Sequence, residues 1–250
     1  MKEIELKQFL EDIKFFIIDN QESFTVMSAA YDEKTSIKLK NYMNDKTEFQ
    51  VKADNEAETG AEASKPDRLK FLKDVKVNEC VKCRLSIARK RIVFGEGSPE
   101  SRLMFIGEAP GAEEDNTGRP FVGRAGQLLT KIIESINLKR EDVYIANIIK
   151  CRPPENRNPM EDEIALCSPF LEEQISIIKP EIICTLGKFA TEFIIGNDKG
   201  AISSVRGKEF NYKGVTVIPT YHPSYLLRNP NAKKETWEDM KKIRGLYFKN

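Results

Sequence analysis

The stretch 102–129, RLMFIGEAPGAEEDNTGRPFVGRAGQLL, constrains this chain more than any other. Its apolar run 103–106 has the length of one buried strand. The run breaks at once into Gly107, Glu108, Ala109, Pro110 and Gly111. Glycine has no side chain, so such a turn straight after a strand lets the backbone approach something else closely. A second glycine-rich loop, 117–126, carries Arg119, Phe121 and Arg124, and a helical pattern follows over 127–136. A strand that ends in two such loops, with carboxylates, arginines and one aromatic, is where an α/β protein places a ligand site.

The alternation continues down the chain. Apolar strand patterns at 143–149, 181–186 and 215–219 are each followed by a helical pattern, at 160–177, 188–195 and 233–246. Four strand–helix units in a row predict an α/β fold with a parallel sheet between two layers of helices. Upstream, 68–75 reads as a short helix. Ile4, Phe9, Leu10, Ile13, Phe16 and Ile17 recur at helical spacing over 3–18, and a weaker pattern covers 24–43. The run KADNEAETGAEASKP is small, acidic and free of bulky apolar residues, as linkers are. The division expected is a helical extension over 1–50, a linker over 51–66 and a main domain over 67–250. The extension suits a partner-binding hook or a packing element, and the residues do not choose between them.

Charge follows the same division. Residues 1–66 hold 9 Lys+Arg and 14 Asp+Glu, a balance of −5, and the remainder holds 31 against 25, a balance of +6. A basic body fits a polyanion partner weakly, and an ordinary solvated surface explains it as well. No apolar run approaches the ~20 residues that span a membrane. The first residues, MKEIELKQFLEDIKFF, lack the shape of a signal peptide, so a cytoplasmic protein without a membrane partner is expected.

Five cysteines, an odd number, argue against a disulfide framework in such a chain. Cys80 and Cys83 form a CxxC, Cys151 opens the loop CRPPENRNP, and Cys167 lies on the helix beyond it. Two ligands from a tight turn and two from a distant loop and helix can converge on one metal centre. The spacing leaves zinc and an iron–sulfur cluster level, beside four unrelated buried cysteines. Cys184, inside the run IICTL, reads as core. The one histidine, His222, follows the last strand in TYHPSYLLRNP, at the edge where parallel sheets bind ligands. The leucines and arginine after it suit a wedge entering a nucleic-acid stack.

Five motifs, in this order, resemble the iron–sulfur family 4 branch of the uracil-DNA glycosylase superfamily. They are CxxCxL at 80–85, GEAPG at 107–111, TGRPFVGRAG at 117–126, NIIKCRPPENRNP at 147–159 with Cys167 beyond, and HPSYLLRNP at 222–230. The resemblance covers about residues 72–250, and the N-terminal extension stands outside it. It implies a three-layer α/β/α sandwich around a four-stranded parallel sheet. It implies a 4Fe–4S cluster on Cys80, Cys83, Cys151 and Cys167, and hydrolysis of the N-glycosidic bond of deoxyuridine in single- or double-stranded DNA.

Residue by residue, the resemblance places Asn147 on the uracil edge, where an amide offers both donors and an acceptor. Phe121 is placed in a stack on the base. His222 is placed as a donor to uracil O2, where bond cleavage builds negative charge. The loop at Glu108 and Ala109 is expected to hold the attacking water. Glu114 either crowds uracil C5 or is a solvated acid, and Asn156 either reaches the site or phosphate or caps its loop. Leu226 and Leu227 form the candidate wedge, with Arg228 near phosphate. The cluster is expected to staple the Cys151 loop to the CxxC turn, since this hydrolysis moves no electron. A monomer is expected; the extension has no counterpart in the resemblance, and a repair or replication protein is the partner it would take if it is a hook. Three rivals share the fold: a DNA-binding scaffold without chemistry, a glycosylase for another deaminated base, and a covalent uracil-binding relative with GEQPG in place of GEAPG. A phosphate-loop reading fails for want of GK[ST].

Overall fold

The computed structural model describes residues 63–249. The helical patterns at 3–18 and 24–43, and all but the end of the linker, lie outside the described residues. Helix α1 (Lys65–Phe71) starts where Ser64 caps it, the Ser64 hydroxyl accepting from the Asp67 N–H at 3.3 Å, with Pro66 in the first turn. It runs into a π-helical turn, Leu72–Val77, and a short helix α2 (Leu85–Ala88) follows the CxxC turn. Then come β1 (Glu96–Gly97), β2 (Leu103–Gly107), α3 (Ala112–Thr117), α4 (Arg124–Ser135) and β3 (Tyr144–Asn147). Helix α5 (Glu161–Ile178) opens on three acids, Glu161, Asp162 and Glu163, which complement its positive N-terminal end. After it come β4 (Ile182–Leu186), α6 (Lys188–Ile195), α7 (Ile202–Val205), β5 (Phe210–Tyr212), β6 (Val215–Thr220), α8 (Pro223–Arg228) and α9 (Lys233–Tyr247).

The sheet runs β1-β3-β2-β4-β6-β5. Its inner four strands are parallel, as expected. Two antiparallel edge strands, β1 and β5, extend it to six. Neither edge strand is long enough to show a hydrophobic period. The β5–β6 hairpin turns on Lys213 (φ 51°) and Gly214 (φ 90°), the left-handed pair that a two-residue turn requires.

β2 is buried at every position because both faces are covered. Met104 and Ile106 enter one core with Leu72, Leu85, Ile148, Leu171, Ile183 and Val217. Leu103 and Phe105 enter the other with Leu129, Ile133, Ile145, Cys184, Ile218 and Met240. Cys184 is fully buried there, a core residue as its run suggests. No helix among the described residues is long and apolar enough to cross a membrane. The chain passes from β2 to β3 on one side and then to β4 on the other. That reversal opens a crevice at the carboxyl ends of the strands.

Candidate active site

A cavity of about 290 Å³ occupies this edge. Its lining includes Glu108, Ala109, Glu114, Phe121, Asn147, Asn156 and His222, which come from three strand ends and the loops that follow them.

Asn147 is the last residue of β3, in register with Gly107 at the end of β2. Its side chain is 1% exposed, and its Oδ1 has no hydrogen-bond partner. Leaving such an acceptor buried and unpaired costs ~1–3 kcal/mol, so its place against a cavity points to an external donor. The glycine opposite is required. A Cβ on Gly107 would lie 2.5 Å from Asn147 Oδ1 and 2.5 Å from Phe121 Cζ. The close approach that the GEAPG turn implies is therefore an approach to these two side chains.

His222 is the N-cap of α8, with Pro223 as the first helical residue. Its Nδ1 accepts from the Ser224 backbone N–H at 3.1 Å and lies 2.7 Å from Ser224 Oγ. An amide can only donate, so Nδ1 is the acceptor nitrogen and the neutral ring carries its proton on Nε2. Burial, with the Arg228 charge nearby, pushes the imidazole pKa down to about 4 against an opposing pull from Glu114. The ring is therefore a neutral donor at physiological pH. Its centroid lies 5.7 Å from that of Phe121, at an interplanar angle of 39°. Gly187, at φ 86°, makes room behind it, because a Cβ there would fall 2.8 Å from His222 Cβ.

Glu108 follows β2 directly. The β2–β3 pairing continues past the strand ends, with Ile148 N–H donating to Gly107 O at 2.9 Å and Ile149 N–H to Glu108 O at 3.2 Å. The loop is thereby fixed, and burial pushes the Glu108 carboxyl up to about 7. Glu114 is half-buried, so the solvated-acid alternative is not what its carboxylate shows. Oε1 accepts from Val122 N–H and Gly123 N–H, both at 2.9 Å, and Oε2 from Gly111 N–H at 3.1 Å. It ties the two glycine-rich loops together at the cavity wall. Asn156 stands at the rim with φ 55°, its Oδ1 accepting from Arg152 Nε at 2.8 Å.

The wedge pair separates. Leu226 is 1% exposed, on a helix packed against α4, whereas Leu227 is 38% exposed. Consecutive helical residues point about 100° apart, so one enters the core as the other leaves it. The expectation for Leu226 is corrected to a core role. Leu227, with the exposed Tyr225 and Arg228, remains at the surface beside the site.

Several neighbours of the site have no role that the linear chain reveals. Arg157 and Asn158 line the cavity, and Arg157 forks onto the fully buried Glu163 at 2.6 and 2.8 Å, which fixes the loop. Lys150 is 1% exposed and donates to the Asn147 carbonyl at 2.8 Å and to Gln174 Oε1 at 2.7 Å. Only an ammonium so satisfied tolerates that depth.

All five cysteines are free thiols. Cys80, Cys83, Cys151 and Cys167 pack against one core, and their thiols interact electrostatically, Cys151 with Cys83 and Cys80, and Cys167 with Cys151 and Cys80. Arg89 Nη1 donates to Cys151 Sγ and the Lys150 N–H to Cys167 Sγ, both at 3.3 Å. Donors on sulfur suit thiolates. Among the described residues no three His, Cys, Asp or Glu are grouped as ligands of a single ion. A cluster makes a different demand, because each thiolate binds its own iron and the sulfurs stand further apart. Four thiols packed on one core match that demand in ligand type.

The family model described as the Uracil DNA glycosylase superfamily matches residues 94–241. A type-4 uracil-DNA glycosylase of Sulfurisphaera tokodaii is 50% identical over 188 residues, 72% of this chain and 85% of the relative. Those of Thermotoga maritima and Saccharolobus solfataricus are each 47% identical, over 70% and 71% of this chain and 92% and 86% of theirs. The chain belongs to the uracil DNA glycosylase superfamily, with the type-4 uracil-DNA glycosylases as its relatives.

Proposed function

We propose that this chain is a base-excision enzyme that hydrolyses the N-glycosidic bond of deoxyuridine in DNA, releasing uracil and leaving an abasic site. The observation that carries the reading is the unpaired, buried Oδ1 of Asn147 in a cavity that the Phe121 ring and the neutral His222 ring also line. The uracil edge offers an N–H and a carbonyl, which an amide can pair together; the cytosine edge reverses the pattern. A base must leave the duplex stack to enter such a cavity, and stacking on an aromatic ring is worth ~1–3 kcal/mol.

As the C1′–N1 bond breaks, its electron pair passes to the uracil ring and charge builds on O2. The His222 Nε2–H donates there. Water adds to C1′, held by Glu108 and the Ala109 backbone, and its proton passes to the Glu108 carboxylate. A base with a pKa near the working pH is well matched to that transfer. Glu114 holds the Phe121 loop to the GEAPG loop and bounds the cavity on the side where a C5 methyl would need room. Asn156, Arg228 and Leu227 contact the DNA around the extruded nucleotide. The reading is tested by base release from an oligonucleotide carrying one uracil, followed by alkali cleavage, with a thymine oligonucleotide beside it. Cleavage at uracil alone supports it, and no cleavage by iron-loaded protein overturns it in favour of a DNA-binding role.

Cys80, Cys83, Cys151 and Cys167 are the residues that would hold a 4Fe–4S cluster. Burial pushes the Cys151 thiol up and the Cys167 thiol up to about 12, so these thiols need a positive centre to become thiolates. Held there, a cluster would supply no electron to this hydrolysis; the four cysteines would use it to cross-link the CxxC turn to the Cys151 loop that leads to Asn156. Cys83→Ala is expected to lose the iron chromophore and to lower the melting temperature. An unchanged spectrum and melting curve would count against this role.

The arm over 1–50, joined by the linker over 51–66, is proposed as the hook for a repair or replication protein on a monomeric enzyme, with a packing extension as the other reading. Removing 1–66 is expected to leave uracil release on naked DNA unchanged. A lower rate or a weaker DNA affinity would make the arm a DNA contact instead.

A further inference from the structure

Phe121 does not keep its place by its own conformational preference. Its φ is 50°, in the left-handed region that a bulky residue disfavours. Contacts from outside the cavity impose it. Gly126, in the first turn of α4, lies against its backbone, and a Cβ there would stand 1.9 Å from Phe121 C and O. Arg140 Nη1 donates to the Phe121 carbonyl at 3.1 Å, and its Nη2 donates to the Pro120 carbonyl.

The guanidinium is itself aimed. Glu96, on the edge strand β1, accepts from Arg140 Nε at 2.9 Å. The same carboxylate takes a fork from Arg119, Nε at 2.6 Å and Nη2 at 3.0 Å. The Arg119 hydrogen bond first, and then Arg140, hold the Glu96 carboxyl below the usual carboxylate range. Glu96, Arg119 and Arg140 line a second, separate cavity and do not line the candidate active site. A planar fork can reach two adjacent carbonyls while its Nε stays on a carboxylate, and a lysine ammonium cannot.

We propose that Arg140, aimed by Glu96, is a positioning residue for base excision. It locks the Pro120 and Phe121 carbonyls so that the Phe121 ring stands as a preformed platform for the extruded base. The inference rests on the excision reading above. It gives the two-residue strand β1 a purpose, since that strand carries Glu96 to the loop.

The test uses the full, cluster-loaded chain in four forms, unaltered, Arg140→Met, Phe121→Ala and the two together. The readouts are single-turnover uracil release, inhibition by free uracil, affinity for abasic-site DNA and the melting curve. Arg140→Met is expected to slow release and weaken inhibition by uracil by about tenfold each, the scale of a lost base stack. Affinity for abasic-site DNA should stay within about twofold. In the Phe121→Ala background the arginine substitution should cost nothing further, because its effect passes through the ring. Equal losses with and without the ring would overturn the proposal, as would unchanged inhibition by uracil. Should Arg140→Met not fold, Glu96→Gln and Arg140→Lys carry the same cycle, each expected to slow release and to be silent without the ring. Failure of the unaltered protein to release uracil would sink the excision reading. Release by it and by Arg140→Met at the same rate would sink this inference alone.

Discussion

Asn147→Ala is expected to lower uracil release by about 10⁴-fold or more, the scale on which a hydrogen-bonding pocket discriminates when one partner is lost. The same substitution should not lower the melting temperature. In the unaltered protein the Asn147 Oδ1 is buried without a partner, against the wall of an existing cavity. Removing an unsatisfied acceptor relieves a cost of ~1–3 kcal/mol, which offsets the packing lost with the amide. A group whose removal damages chemistry and spares stability is one held for a ligand. The measurement is single-turnover release on a uracil oligonucleotide beside thermal denaturation. If activity and melting temperature fall together by a wide margin, Asn147 is a structural residue and the base is read elsewhere.

His222→Ala is expected to slow release by about 10²–10³-fold, the usual effect of deleting one donor to a developing oxyanion. The pH dependence separates this residue from Glu108. The imidazole pKa lies near 4, so the ring is already neutral above about pH 5 and adds no limb near its ordinary value. The Glu108 carboxyl, with a pKa of about 7, must be ionised to take a proton from water. Its ionised fraction falls as pH drops below 7, so the rate should decline about tenfold per pH unit on that side and level off above it. His222→Ala should lower the whole profile and keep this limb where it is. Glu108→Gln should flatten it. A limb near 7 that disappears with His222 and survives in Glu108→Gln would reverse the two assignments.

Both variants probe features with different visibility in the linear chain. The inner strands were legible because a strand covered on both faces is rich in apolar residues, unbroken over 103–106 and interrupted only by single polar residues in 182–186 and 215–219. Lys188–Ile195 begins and ends where its period does, between Gly187 and Gly196. The converging motifs were legible in part, since Gly107 and His222 follow the ends of strand patterns and a parallel sheet gathers those ends on one edge, whereas Asn147 lay inside the pattern 143–149 and only the structure ends β3 there. Edge strands of two and three residues leave no period to read, so β1 and β5 were invisible.

The sequence by itself determined the layered α/β architecture and the sheet edge on which the motifs gather, because local periodicity carries that information, whereas the four-cysteine set came only with the resemblance of its motifs. Tertiary structure alone decided how the pieces act. It made Nδ1 of His222 an acceptor through Ser224, orphaned Asn147 Oδ1, turned the Glu114 carboxylate onto three amides, sent Leu226 inward and Leu227 outward, and brought Arg140 and Glu96 to the Phe121 backbone. Desolvation, tautomer and hydrogen-bond partners are set by groups that meet only when the chain has folded, 19 positions apart for Arg140 and Phe121 and 44 for Arg140 and Glu96. No pattern of neighbouring residues encodes them.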